Sequence, residues 1–181
     1  MWLAGLMHDI GKLGIETTIL EKPGALDPRE YADMKEHSFM GYRTLHRMFD
    51  HWTLPATALH HHERYDGAGY PAQLAATDIP LPARIAALSD SYDTIRRKLP
   101  YKVAQTHQAA VIEIVNCSGT QFDPEIVTIF SQTNKSVETA YDGYQNMSHT
   151  ELHNSVRGKL NSTRWSQFLT SHLLRFWLAL E

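Results

Sequence analysis

No stretch of this chain alternates apolar and polar residues as a half-buried strand would. What recurs is helix punctuation. Asp27-Pro28 puts a capping carboxylate before a proline at the first helical position, and Glu30 follows Asp27 by three residues, as a capping box requires. Leu54-Pro55, Ile79-Pro80-Leu81-Pro82 and Asp123-Pro124 open further helices, while Pro23-Gly24 and Ser118-Gly119 mark turns. The spacing predicts helices over residues 2–10, 28 to about 37, 41–49, 56–62, 85–95, 106–116 and 124–130, with a loop over 14–24. Glycine density in Tyr65-Asp66-Gly67-Ala68-Gly69-Tyr70-Pro71 predicts a second loop with unusual backbone angles. The expected fold is all-α. At 181 residues the chain is long enough for one domain with a sizeable core.

Composition shifts after residue 130. Residues 131–163 are rich in Ser, Thr, Asn, Gln and Gly with few apolar anchors, and read as a polar, weakly ordered linker. Residues 164–181 regain helical periodicity: Trp165, Leu169, Phe176 and Leu180 fall on one face, opposite Arg164, Gln167, Ser171 and Arg175. This amphipathic helix is expected to pack on the chain's own core, with dimerisation as the next expectation.

A net charge of -3 gives no general attraction for DNA or anionic membrane. The single Cys117 excludes an internal disulfide and a cysteine zinc cluster, and fits a reducing, cytoplasmic setting. Nothing is long and apolar enough for a transmembrane helix, and Asp9 interrupts the first apolar run too early for a signal peptide.

Eleven histidines are many for this length, and histidine is the commonest metal ligand. His8-Asp9 ends an apolar helix, where a buried charge is costly unless paired or bound to a cation. His37 lies near a helix end, His60-His61-His62 precede the glycine loop, and Asp90 sits inside an apolar helix. Taken singly, each has an ordinary explanation: a solvated helix end, or Asp90 paired with Arg84 or Lys102. Together they offer imidazole and carboxylate ligands suited to a dinuclear centre that also holds water and substrate.

Here the sequence resembles the HD-GYP domains, cyclic di-GMP phosphodiesterases of the HD superfamily. The matching segments are His-Asp-Ile-Gly-Lys at 8–12, Ile-Leu-Glu-Lys-Pro-Gly at 19–24, and Met-Lys-Glu-His at 34–37 with Gly41. They continue with His-His-Glu-Arg-Tyr-Asp-Gly-Ala-Gly-Tyr-Pro at 61–71, Ala-Arg-Ile at 83–85, Asp90 with Asp93, and Gly-Thr-Gln-Phe-Asp-Pro at 119–124. The resemblance covers roughly residues 1–130 and implies an HD-like helical bundle there. It implies His8, Asp9, His37, His61, His62 and Asp90 as metal ligands, with Asp9 bridging two divalent cations, most often iron or manganese. It makes Lys12 and Asp9 the catalytic residues, with Lys12 stabilising phosphate charge and Lys102 as a further phosphate contact. Gly69, Tyr70 and Pro71 would shape the substrate cleft. The implied substrate is cyclic di-GMP, and the products linear pGpG or GMP. The implied partners are diguanylate cyclase (GGDEF) proteins or an N-terminal sensor or receiver domain, and possible association is as a homodimer.

Two departures temper this expectation. Family domains begin with one or two helices before the His-Asp helix, carrying another ligand histidine, so the chain reads as N-terminally truncated. The family's Arg-Pro-Tyr-Lys segment is Leu99-Pro100-Tyr101-Lys102 here, and leucine cannot pair with phosphate, although Arg96 and Arg97 lie nearby. The alternative expectation is therefore a catalytically degenerate module that binds a protein partner or a cyclic dinucleotide.

Overall fold

The computed structural model describes residues 2–97, 103–148, 150–151 and 154–155. The described residues form helices and connecting loops and contain no strand; Ser118 and Phe122 make an isolated bridge. The helices are α1 (Trp2–Met7), α2 (Thr17–Leu20), α3 (Pro28–Met48), α4 (Thr53–His60), α5 (Leu81–Arg96), α6 (His107–Asn116) and α7 (Pro124–Gln145). A 3-10 turn, Ile10–Gly14, follows α1, and a second, Ala76–Asp78, precedes α5. The chain divides into two compact units, Met1–Asn134 and Lys135–Glu181. The core and the site described below belong to the first.

The capping box at Asp27 is formed in full. Its Oδ1 accepts from the Arg29 and Glu30 amides at 2.8 and 2.9 Å, and Glu30 Oε2 accepts from the Asp27 amide at 2.7 Å. From this start α3 runs unbroken to Met48, so the expected break between His37 and Gly41 is not there. Gly41 does something else. It is buried, and a Cβ placed on it would touch Ala58 of α4 at 3.3 Å and the Gly11 amide at 3.4 Å. Its lack of a side chain lets α3 meet α4 and the first 3-10 turn closely. His37, Ser38, Gly41 and Leu45 make the buried stripe of α3, near the four-residue spacing that puts side chains on one face.

The first helix also ends earlier than expected, at Met7, and the 3-10 turn takes up the chain from Ile10. His8 and Asp9 therefore sit at a junction between two elements. The predicted loop over 14–24 contains the single helical turn α2, anchored by buried Ile19.

Helix α7 corrects the linker expectation in part. The helix does not stop near Phe130 but continues to Gln145, through residues expected to be weakly ordered. Val127 and Phe130 are buried at its start. Four of its hydroxyls are satisfied within the helix. Thr128, Ser131, Thr133 and Thr139 donate their hydroxyls to carbonyls four residues back, at 2.8 to 3.0 Å. The expected amphipathic helix at 164–181 lies outside the described residues, as does the segment Leu99 to Lys102.

Around the site, α5 and α6 form a second packed face with Ala83, Tyr92, Ile95, Ala110 and Ile114 buried. Tyr92 meets Phe130 edge-on at 5.7 Å. Arg84 of α5 is joined to buried Asp123, whose Oδ1 also accepts the Glu125 amide at 2.8 Å at the start of α7.

Candidate metal centre and substrate cleft

Four elements converge on Asp9. The α1 to 3-10 junction supplies His8 and Asp9, α3 supplies His37, the end of α4 supplies His61 and His62, and α5 supplies Asp90. Convergence depends on Gly11: a Cβ there would lie 1.9 Å from the His37 carbonyl oxygen, so only glycine lets the turn lie against α3.

Three of the imidazoles are oriented in the same way. Nδ1 of His8 lies 2.6 Å from the Gly5 carbonyl, Nδ1 of His37 lies 2.6 Å from that of Met34, and Nδ1 of His61 lies 2.9 Å from that of Ala58. A ring that donates Nδ1–H to a carbonyl presents an unprotonated Nε2 when neutral, which is the metal-ligating tautomer. The Nε2 atoms then face Asp9. His37 and His61 reach its Oδ1 at 3.4 and 3.5 Å, and His8 reaches Oδ2 at 3.4 Å and Asp90 Oδ1 at 3.7 Å. Lys12 Nζ, one turn on, lies 2.5 Å from Asp9 Oδ2.

Two groups of ligand atoms result: Asp9, His37, His61 and His62, and His8, Asp9 and Asp90, each with its atoms within 4.8 Å of one another. Asp9 belongs to both. All six residues expected as ligands are thus brought together, with Lys12 beside them.

The donor atoms fit a cation. His8 Nε2 and Asp9 Oδ1 are buried and have no hydrogen-bond partner, a condition that costs about 1–3 kcal/mol per atom unless something else satisfies it. His37 Nε2 and His61 Nε2 point at each other across 3.4 Å. Two nitrogens each about 2.1 Å from a common ion sit roughly 3.0–3.4 Å apart at octahedral or tetrahedral angles. The donors are all nitrogen and oxygen, without thiolate.

The electrostatics of the site follow from burial and from these close contacts. Burial, then the neighbouring His61 and His37, pushes His62 down to about 3, so its ring is neutral and ready to ligate. Burial likewise lowers His37. Burial also acts to lower His8, but the facing carboxylates of Asp9 and Asp90 outweigh it and push it up to about 10. Burial acts to raise Asp9, and the imidazoles of His61 and His8 with Lys12 hold it far below the usual carboxylate range. Asp90 is lowered against its own burial, by His8.

Three of the ligand residues, His61, His62 and Asp90, line a cleft of about 190 Å³ whose wall also includes Tyr31, Gly69, Tyr70, Ser91 and Gln121. Tyr70 stacks on His62 with ring centres 4.8 Å apart. Gly69 is required where it stands, since a Cβ would lie 2.3 Å from the Arg64 amide nitrogen. Sequence reasoning passed over Glu63, which holds this loop: its carboxylate is buried and accepts the Ala72 amide at 2.7 Å and the Leu74 amide at 3.2 Å. A carboxylate directly after two ligand histidines was the available signal. Sequence reasoning also offered Arg84 as a partner for Asp90. In the fold Arg84 pairs with Asp123, which leaves Asp90 facing His8. Arg97, offered as a substitute phosphate contact, pairs with Asp93 at 2.5 Å. Lys102 lies outside the described residues.

An all-α scaffold that gathers two ligand groups around one shared carboxylate defines the class, a helical bundle whose donor set fits divalent metal. Comparison with known proteins gives the particular family. The HD domain family matches residues 1–126. A cyclic di-GMP phosphodiesterase of Thermotoga maritima is 41% identical over 140 residues, covering 76% of this chain and 38% of that protein. A cyclic di-GMP phosphodiesterase of Vibrio cholerae is 42% identical, covering 68% of this chain and 27% of that protein. A 3'3'-cGAMP-specific phosphodiesterase of the same organism is 34% identical, covering 83% and 32%. The crystal structure of a V. cholerae cyclic GMP-AMP phosphodiesterase superposes with a TM-score of 0.57 at 15% identity, over 94% of this chain and 50% of that one, and shares the fold. The chain belongs to the HD domain family and, with its His8-Asp9 pair and Gly69-Tyr70-Pro71 loop, to the HD-GYP branch. It spans about a quarter to two fifths of the length of the curated relatives described. HD-domain hydrolases use divalent metals, and the donor set fits that use.

Proposed function

We propose that this chain carries the hydrolytic centre of a metal-dependent cyclic di-GMP phosphodiesterase. The observation that carries this reading is Asp9, one carboxylate common to two ligand groups, whose members His61, His62 and Asp90 line a cleft. His37, His61 and His62 would hold one cation, His8 and Asp90 the other, and Asp9 both. When bound, the pair would supply Lewis-acid charge and acidify water at neutral pH. Nitrogen and oxygen ligands without thiolate suit iron or manganese.

The chain's own residues do the rest. The three backbone carbonyls that accept from His8, His37 and His61 lock the rings with Nε2 inward, so no reorganisation is needed when substrate arrives. Lys12 places positive charge beside the centre, where negative charge builds on the phosphate oxygens as the P–O bond breaks. Lys102 is proposed to contact the second phosphate. Glu63 fixes the loop that carries Tyr70, and Tyr70 walls the cleft against His62. The proposed products are linear pGpG or GMP. The proposed setting is a reducing cytoplasm, with GGDEF proteins, a sensor domain or a second copy of the chain as partners.

Iron- or manganese-loaded protein should convert cyclic di-GMP to pGpG or GMP, resolved by chromatography, and Asp9→Asn should abolish conversion. Loaded protein that leaves cyclic di-GMP intact contradicts the reading. A second reading, a module that binds the dinucleotide without turnover, is favoured by one observation: Leu99 stands where the family's arginine would be. Retained binding without conversion selects it.

A further inference from the structure

The cleft has a side that the proposed hydrolysis does not use. Tyr31, from the first turns of α3, lines the cleft yet is 50% exposed. Its ring lies 6.5 Å from that of Tyr70, with the two planes at 80°. Lys35, one helical turn further on, holds its ammonium 5.2 Å from the Tyr31 ring centre and 5.8 Å from that of Tyr70.

Among the described residues, three cations around the centre are already paired. Lys12 is paired with Asp9, Arg64 with Asp66 and Arg84 with Asp123. No carboxylate among the described residues lies within ion-pair distance of Lys35. Two aromatic faces hold it at the cleft edge, and its N–H donors remain open to a ligand.

A half-exposed tyrosine ring beside an open ammonium is a platform for a planar base with acceptors on its edge. Any purine stacks on the ring. Guanine presents two adjacent acceptors, O6 and N7, whereas adenine presents N7 beside an N6 donor. An ammonium carries only donors, so it distinguishes the two.

We propose that Tyr31 and Lys35 form a guanine seat at the mouth of the cleft, with Tyr31 stacking the base and Lys35 donating to its O6 and N7 edge. This rests on the cyclic dinucleotide reading of the site and names which base the enzyme grips and with what. Neither residue supplies a metal ligand, so variants should keep their metal.

The test is calorimetric titration of the metal-loaded full chain with GMP and with AMP, which share the ribose phosphate and differ in the base. Wild type should bind GMP about tenfold more tightly than AMP. Lys35→Met should bring the two affinities together by weakening GMP alone. Tyr31→Ala should weaken both by about tenfold, and Tyr31→Phe should restore them. Equal GMP and AMP affinity in wild type, undetectable binding of both, or GMP affinity unchanged in Tyr31→Ala and Lys35→Met, overturns the seat. Turnover of cyclic di-GMP by wild type is measured alongside. A retained guanine preference without turnover removes the hydrolytic reading and leaves the seat, and turnover without preference does the reverse.

Discussion

Asp9 draws its role from what surrounds it. Two imidazoles face one oxygen, and an imidazole and an ammonium face the other, so the carboxylate stays ionised despite burial. The same arrangement keeps His8 protonated in the metal-free protein, with a pKa raised from 6.5 to about 10. A raised histidine pKa stabilises the fold fully below 6.5, and the contribution fades as pH climbs through about 10. Metal-free protein should therefore lose stability across that window, read by thermal melts at stepped pH. If His8 ligates as proposed, a cation must displace its proton, so binding at pH 7 should release one, which titrations in buffers of different ionisation enthalpy will count. No proton release would mean His8 does not ligate. Glu63 gives a contrasting case. Glu63→Ala removes the acceptor for two loop amides, and should weaken nucleotide binding severalfold while metal content stays at the wild-type level. The residue types at the centre were legible in the sequence because a buried His-Asp pair and a histidine run need explaining. Tyr31 was not, and Glu63 was signalled only by its place directly after two histidines. An exposed tyrosine and a helix-end glutamate look ordinary until the fold sets one in a cleft wall and the other under a loop.

At the scale of elements, the centre exists because a turn, two long helices and a short one approach without side chains in the way. Gly11 and Gly41 make that approach, and Gly11→Ala should cost metal content and melting temperature together, since its Cβ would collide with the His37 carbonyl. The sequence announced helix starts well, through Asp27-Pro28 and Asp123-Pro124, because caps are local chemistry. It announced helix ends poorly. Gly41 looked like a break but is a packing contact, and the polar run after Phe130 looked like a linker although its hydroxyls bond back along α7. Neither can be judged before the neighbouring element is in place. The Arg84–Asp123 pair links α5 to the start of α7 and is nearly excluded from water, with side chains 14% and 4% exposed. Breaking such a pair by Arg84→Met strands a buried carboxylate and should cost roughly 3–5 kcal/mol in denaturant unfolding.

For the molecule as a whole, the proposed metal centre would contribute to the fold's stability. Ligand atoms that are buried and unsatisfied without metal become satisfied with it, and anything that binds only the folded state stabilises it. Chelation should lower the melting temperature, and readdition of manganese or iron should restore it. The most direct test of the central claim is the metal content of anaerobically prepared chain by elemental analysis, beside that of Asp9→Asn. A carboxylate shared by both ligand groups predicts about two divalent cations per wild-type chain and loss of both in the variant. One cation or none in wild type, or two retained in Asp9→Asn, would contradict it.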